Sequence, residues 1–555
     1  MDKIKRILQS QTQGLHQAAY LLGFFAVLSQ LCALIRDRLL AHTFGAGVEL
    51  DIYYSAFRLP DIMFVLLVTF FSVSVLVPLI VERLNNKKEL KRYFDSVFTF
   101  VCLCAIVIFV GAWISAPYFL KLLVPELFNQ YSDTIVSITR ILLIQPLLLS
   151  LSGFFGSFAQ AQKHFLLYAL SPVMYNIGII LGIVILYPLF GLIGLGFGVV
   201  SGAFLHLIIL LPIVLKTYTP RFSKIYFTDI KYLIFHSIPR TFSLLSNQLL
   251  LVCITFFAGL LVTGSIAIFN FSYNLQSVPL AIIGVSYSLA AFPTLALFFK
   301  EKKFDEFYEL LSRAVRHVFF WSLPVMALFI VLRAQIVRTV LGSGNFDWNE
   351  TMLVAAALAI FTLSIVTQSA SSVLIRAYYA MNRTFYPFVC VFISFLITIA
   401  CMCVLFIPGI KDSSFMFYVE NFLKVENTVS SLVLIIPMAF TVGQWVQFTL
   451  LILGMRQLKI LFSKQFMISI SQSLLGAGTI AIVAYFMLQF LSGVFDLNTF
   501  LGIAFQGFFA GVSGIFAGII FLLLIGNKEI QTIVHVGFKK LKQQTILQPE
   551  IREEL

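Results

Sequence analysis

Apolar stretches of about twenty residues or more recur along nearly the whole chain, and this feature limits the possible folds more than any other. A helix of that length crosses the ~30 Å hydrocarbon core of a bilayer. No water is present there to satisfy a free backbone amide, so a spanning chain must be a helix or a closed barrel. The apolar residues follow a helical or all-round spacing rather than strict alternation, which excludes a β-barrel. Charged residues are only 11% of the chain, against roughly a quarter in a soluble protein. The fold class expected is all-α, a polytopic membrane protein of about fourteen transmembrane helices.

The spans are placed at residues 16–44, 51–81, 94–120, 133–161, 165–188, 191–215 and 232–260, then 264–299, 308–341, 351–380, 385–408, 429–455, 465–491 and 500–525. Several are long enough to require tilt or a bend, and Pro60, Pro146, Pro279 and Pro324 are candidate kinks. Loops after even-numbered spans are basic: Arg83, Lys87, Lys88, Lys91 and Arg92; Lys163 and His164; Lys216, Arg221, Lys224 and Lys231; Lys300, Lys302 and Lys303; Arg383; Arg456, Lys459 and Lys464; and Lys539, Lys540 and Lys542 in a tail over 527–555. Loops after odd-numbered spans are short or acidic, with Glu49, Asp347, Glu350 and Asp496. Basic loops stay in the cytoplasm, so both termini are expected there. The same distribution accounts for the formal charge of +13, and no nucleic-acid partner is expected. The basic start of the chain leads directly into a full span without a small-residue cleavage site, so a removed signal peptide is not expected. The loop over 409–428 carries both signs of charge without periodicity and reads as a surface excursion.

The first six spans are echoed by the next six. Phe57-Arg58-Leu59-Pro60, leading to Pro78, resembles Tyr273-Asn274-Leu275-Gln276, leading to Pro293. Ala161-Gln162-Lys163-His164 followed by Pro172 resembles Ala380-Met381-Asn382-Arg383 followed by Pro387, at nearly the same offset. The expected organisation is two pseudo-symmetric six-helix lobes, 1–225 and 226–462, two additional helices over 463–526, and a cytoplasmic tail over 527–555. Parallel repeats of this kind belong to transporters, with the substrate near the midplane.

A charge inside a span costs about 2.5–3.5 kcal/mol on insertion scales and requires a reason. The first span carries Arg36, Asp37 and Arg38; the second carries Asp51, Arg58 and Asp61. One reading has these groups neutralise one another near the interface. The other has them form a partly cationic wall of a hydrated cavity, where guanidinium forks would hold an anionic head group. Arg376, late in the tenth span, either joins this wall or reaches cytoplasmic phosphates, and Arg240 reads as an anchor. Gly45 and Gly47 suit an interhelical turn. The seven cysteines all lie in apolar segments and read as small hydrophobes, so no metal site is expected.

The run Ser29-Gln30-Leu31-Cys32-Ala33-Leu34-Ile35-Arg36-Asp37, Phe44-Gly45-Ala46-Gly47, Asp51, Ala56-Phe57-Arg58-Leu59-Pro60 and Val77-Pro78 resembles the MurJ/MviN lipid II flippases of the multidrug/oligosaccharidyl-lipid/polysaccharide exporter superfamily. Further similarity lies in residues 159–165 with Pro172 and Asn176, in 246–248, in 284–293, in Gly344-Asn345-Phe346-Asp347 and in Arg376-Ala377-Tyr378-Tyr379-Ala380. The resemblance implies a cationic V-shaped cavity, alternating access, a bacterial inner-membrane location and an undecaprenyl-diphosphate-linked cargo. It assigns translocation roles to Arg36, Asp37, Asp51 and Arg58, with Ser29, Gln30, Asn274 and Arg376 as further candidate contacts and Gly45, Gly47 and Pro60 as structural positions. The chain departs from the family where Gln30, Phe64 and Asn274 stand in place of arginines and Thr69-Phe70 in place of Glu-Gly, which makes the cavity less positive.

No His-Glu-x-x-His, Walker A or Gly-x-Ser-x-Gly motif is present. The expectation is therefore a transporter and not an enzyme, without cofactor, driven by an ion gradient, membrane potential or substrate gradient. The expected partners are a lipid-linked anionic substrate, membrane lipids and cell-wall synthesis enzymes. Two other readings keep the same sequence facts: an exporter of another polyprenyl-linked saccharide or amphipathic cation, and a non-transporting scaffold for cell-wall enzymes.

Overall fold

The computed structural model describes residues 15–70, 87–162, 164–212, 220–407, 414–425, 431–455 and 464–531. Expectations that fall on Pro78, Arg83, Lys163, Lys216, Arg456, Lys459 and Lys539–Lys542, and on the side chain of Arg240, lie outside the described residues. All regular structure among the described residues is helical. Among the described residues ten helices are long and apolar enough to cross a membrane, and a bent pair makes eleven. Leu15–Phe44, which carries Arg36, Asp37 and Arg38, and the shorter Leu192–Ile208 stand outside that count.

Helix breaks follow the prolines where the missing amide matters. Pro60 cannot bond to the carbonyl of Ala56, and the second helix divides at Phe57 into Val48–Ala56 and Arg58–Phe70. Pro146 acts in the same way three residues downstream of the break at Leu143, between Pro125–Leu142 and Ile144–Ala161. Pro279 precedes a π turn, Ala281–Val285. Pro324 does not break its helix: Phe304–Val331 runs through it and the interruption comes at Leu332. The span placed at 351–380 is two helices, Trp348–Thr362 and Ile365–Ala380, bent by 43° without any proline. Here the hydroxyl of Ser364 donates to the carbonyl of Phe361 (2.6 Å) and accepts from Gln368 Nε2 (2.7 Å). Such local hydroxyl bonds compete with the helical ladder. The loop at 409–428, read as a surface excursion without periodicity, holds a short helix, Ser414–Leu423.

The described residues pack as two compact units. The first gathers those of 1–275, 340–357 and 384–443, the second those of 276–339, 358–383 and 444–555. One core of the first unit is aromatic, with Tyr93, Phe94, Phe154 and Phe158 closed over by Leu167 and Leu210. The second unit has smaller clusters, such as Leu332, Leu488, Leu491 and Ala510.

Helix backbones approach closely between Phe165–Leu181, its π extension Gly182–Leu186, and Leu192–Ile208. A Cβ on Gly178 or Gly182 would collide with the Cα of Gly202 or Gly198. Small residues at this spacing allow helices to associate by van der Waals contact where lipid offers no hydrophobic drive. Gly182→Leu is expected to cost about 1–3 kcal/mol or more by overpacking, seen as a lower thermal midpoint of the purified protein. Gly111→Leu, where nothing lies within 4 Å of the added Cβ, should leave the midpoint unchanged, and equal midpoints for the two would refute the close approach.

Candidate functional site

The first unit brings together most of the residues singled out from the sequence. Arg36 directs Nε (2.9 Å) and Nη2 (2.8 Å) onto Oδ1 of Asp37, and Nη1 onto Oδ1 of Asn176 (3.3 Å). The other carboxylate oxygen of Asp37 accepts from Asn274 Nδ2 at 3.1 Å. Asn176 in turn donates to the hydroxyl of Ser29 (3.2 Å) and the carbonyl of Pro172 (3.2 Å). Ser29, Arg36, Asp37, Asn176 and Asn274 thus form one network, with Asp37 buried and the side chain of Arg36 20% exposed. The amide at 274 satisfies Asp37 without adding charge, so the Arg36–Asp37 pair is close to neutral. Gln30 is half-buried on the same helix.

Arg58 does not line a wetted wall. It is 5% exposed, its Nε donates to Thr255 Oγ1 (2.7 Å) and its Nη2 to Asn270 Oδ1 (2.9 Å). Asp61 lies 3.8 Å from Nη1. Two neutral acceptors and one distant carboxylate hold a buried guanidinium, which engages two of its five donors and balances its charge only in part.

Asp51 has a third kind of environment. Its two oxygens accept from the backbone amides of Gly264 (2.6 Å) and Ala267 (2.9 Å), at the start of the helix Ser265–Leu280. A buried carboxylate there satisfies orphan donors and meets the positive end of the helix dipole. Gly264 has φ +91°, and an added Cβ would strike the carbonyl of Ala46.

Gly45 and Gly47 flank the turn between the first two helices. Gly45 has φ +62° and sits against the carbonyl of Asn345, leaving no room for a side chain. Asn345 donates from its backbone to His42 (3.0 Å) and from its amide to Thr43 (2.8 Å). Asp347 and Glu350 form a capping box at the start of Trp348–Thr362: the amide of Glu350 donates to Asp347 Oδ1 (2.7 Å) and the amide of Asp347 to Glu350 Oε2 (3.1 Å). The free Glu350 oxygen accepts from Ala46 (2.6 Å), which fixes the turn. Pro60 is buried at the start of its helix.

Arg376 is half-buried and belongs to the second unit. Sequence reasoning missed the roles of Thr255 and Asn270, which are unremarkable polar residues in apolar helices. It also missed Arg140, well inside the span Pro125–Gln160, whose guanidinium stacks 5.1 Å from the ring centre of Trp113. For Arg140 the signal was present, a lone cation within an apolar stretch.

Comparison with known proteins extends the geometry. The family model for "Lipid II flippase MurJ" matches residues 40–506. A probable lipid II flippase MurJ of Buchnera aphidicola is 23% identical over 502 residues, covering 89% of this chain and 94% of its own length. The lipid II flippase MurJ of Burkholderia cenocepacia is 24% identical over 379 residues, 66% of this chain and 73% of that protein. Among solved structures, a lipid II flippase MurJ in an inward closed conformation shares the fold with TM-score 0.69 at 20% identity, covering 91% of this chain and all of the other. An inward-facing multidrug transporter of the MATE family shares it with TM-score 0.61 at 13% identity over 78% of this chain. With a match that takes in most of its length, this multi-pass membrane protein belongs to the MurJ family of lipid II flippases.

Proposed function

We propose that this chain carries lipid II, the diphosphate-linked precursor of peptidoglycan, from the inner to the outer leaflet of the bacterial plasma membrane, with both termini in the cytoplasm. The observation that carries the reading is the Arg36 fork, clasped by Asp37 yet 20% exposed within a chain matched to the family over residues 40–506. A diphosphate offers more charge and more acceptors than one carboxylate, and a guanidinium binds either through paired hydrogen bonds. The cargo would take Arg36 from Asp37 on one side of the membrane and return it on the other. Asn274 would keep Asp37 partly satisfied during the exchange. The polyprenyl tail remains in lipid, so the chain needs to shelter only the polar head. A gradient or the membrane potential would supply the work, and the enzymes that make and polymerise lipid II would act beside it.

Expression of this chain in a bacterium depleted of its own flippase tests the reading. Sustained growth and wall synthesis are expected. Lysis despite normal membrane levels of the protein would overturn it.

A further inference from the structure

We propose that the short helix Ser414–Leu423 is an interfacial anchor that seats its aromatic face in the head-group region of the bilayer. On this helix Phe415, Tyr418 and Phe422 lie at i, i+3 and i+7 and share one face. All three are exposed: Phe422 82%, Tyr418 70% and Phe415 51%. Met416, 1% exposed, and Leu423 dock a neighbouring face of the helix on the protein, and Phe417, 62% exposed, extends the aromatic surface.

The helix is also stopped firmly. Lys424 adopts φ +60°, the amide of Lys424 donates to the carbonyl of Asn421 (3.2 Å), and that of Val425 donates to Glu420 (3.0 Å), with Val425 fully buried. This αL stop, with a buried apolar residue behind it, fixes the orientation of the helix. The aromatic face is therefore held outward by the packing of the neighbouring face.

The tether identifies the occupant. The preceding span, Phe385–Leu405, ends with Val404 and Ile407 exposed as a lipid-facing side would be. Only residues 408–413 separate Ile407 from the helix, at most about 25 Å of extended chain. The next span starts at Ser431. A helix so close to the ends of two spans, with one face apolar and aromatic, matches the chemistry of the lipid–water interface. In water the same side chains would form a large exposed apolar patch.

Photo-crosslinking in native membranes tests this. Benzoylphenylalanine is introduced at Phe422 and, separately, at Tyr418, with Val404 as a lipid-facing control and Met416 as a buried one. Adducts to radiolabelled phospholipid are expected at Phe422, Tyr418 and Val404 and not at Met416. A protein-sized adduct at Phe422 or Tyr418, whether a second copy or another protein, would overturn the proposal. So would the absence of lipid adducts at both positions while Val404 gives them.

Discussion

Arg36→Ala should reduce lipid II transport by roughly a hundredfold or more, since each charge-assisted hydrogen bond to a diphosphate contributes about 1.5–3 kcal/mol and the fork makes two. The same change leaves the buried carboxylate of Asp37 with only Asn274 as a partner, and an unpaired buried charge is destabilising by about 3–5 kcal/mol. Loss of transport in the single variant could therefore reflect loss of the protein. Arg36→Ala combined with Asp37→Asn removes both charges, and should recover the thermal midpoint while transport stays lost. Arg36→Lys keeps the charge without the planar fork and should fall between the two. Flipping measured in reconstituted vesicles, beside midpoints of the purified proteins, separates these outcomes. Near-normal transport by the stable double variant would mean that the Arg36 network is only structural.

Asp51→Ala is expected to fail for a different reason. The resemblance gives Asp51 a part in translocation, yet both its oxygens are committed to the amides of Gly264 and Ala267 at the start of the helix Ser265–Leu280. Removing them strands two buried donors at about 1–3 kcal/mol each and withdraws a negative charge from the helix N-terminus. The expected result is a marked drop in thermal midpoint and in membrane yield, with whatever protein survives still binding a diphosphate lipid. Asp51→Asn retains one acceptor and should recover part of the midpoint. A wild-type midpoint for Asp51→Ala, with transport abolished, would return Asp51 to the cargo.

The contrast between Arg36 and Asp51 shows how far the sequence could be read. Helix positions were legible for most of the described residues, because apolar length marks a span in a bilayer, although Leu15–Phe44 and Leu192–Ile208 fall short of that measure. The break at Phe57 was legible from Pro60, and the αL turn from Gly45. The break at Leu363–Ser364 was not, since it depends on which carbonyls nearby hydroxyls choose. Intramembrane charges could be named as important, but their partners could not: Arg58 meets Thr255 and Asn270 across 197 and 212 residues of chain, and no local pattern marks those two. Asp347 and Glu350 were legible as an acidic loop before a span, and not as the capping box they form. Its third bond, to Ala46, belongs to the tertiary structure alone.

The reach of the Asp51 cap bears on how the protein is made. Its second amide donor lies 216 residues downstream. At a ribosomal rate of about 5–20 residues per second, the nascent second helix waits roughly ten to forty seconds in the translocation machinery before its ligand is synthesised. During that interval the carboxylate must stay protonated, stay near the aqueous border, or be sheltered by an insertase. Biogenesis of this chain should accordingly be more sensitive to depletion of such a helper than that of a membrane protein whose polar contacts close between neighbouring helices.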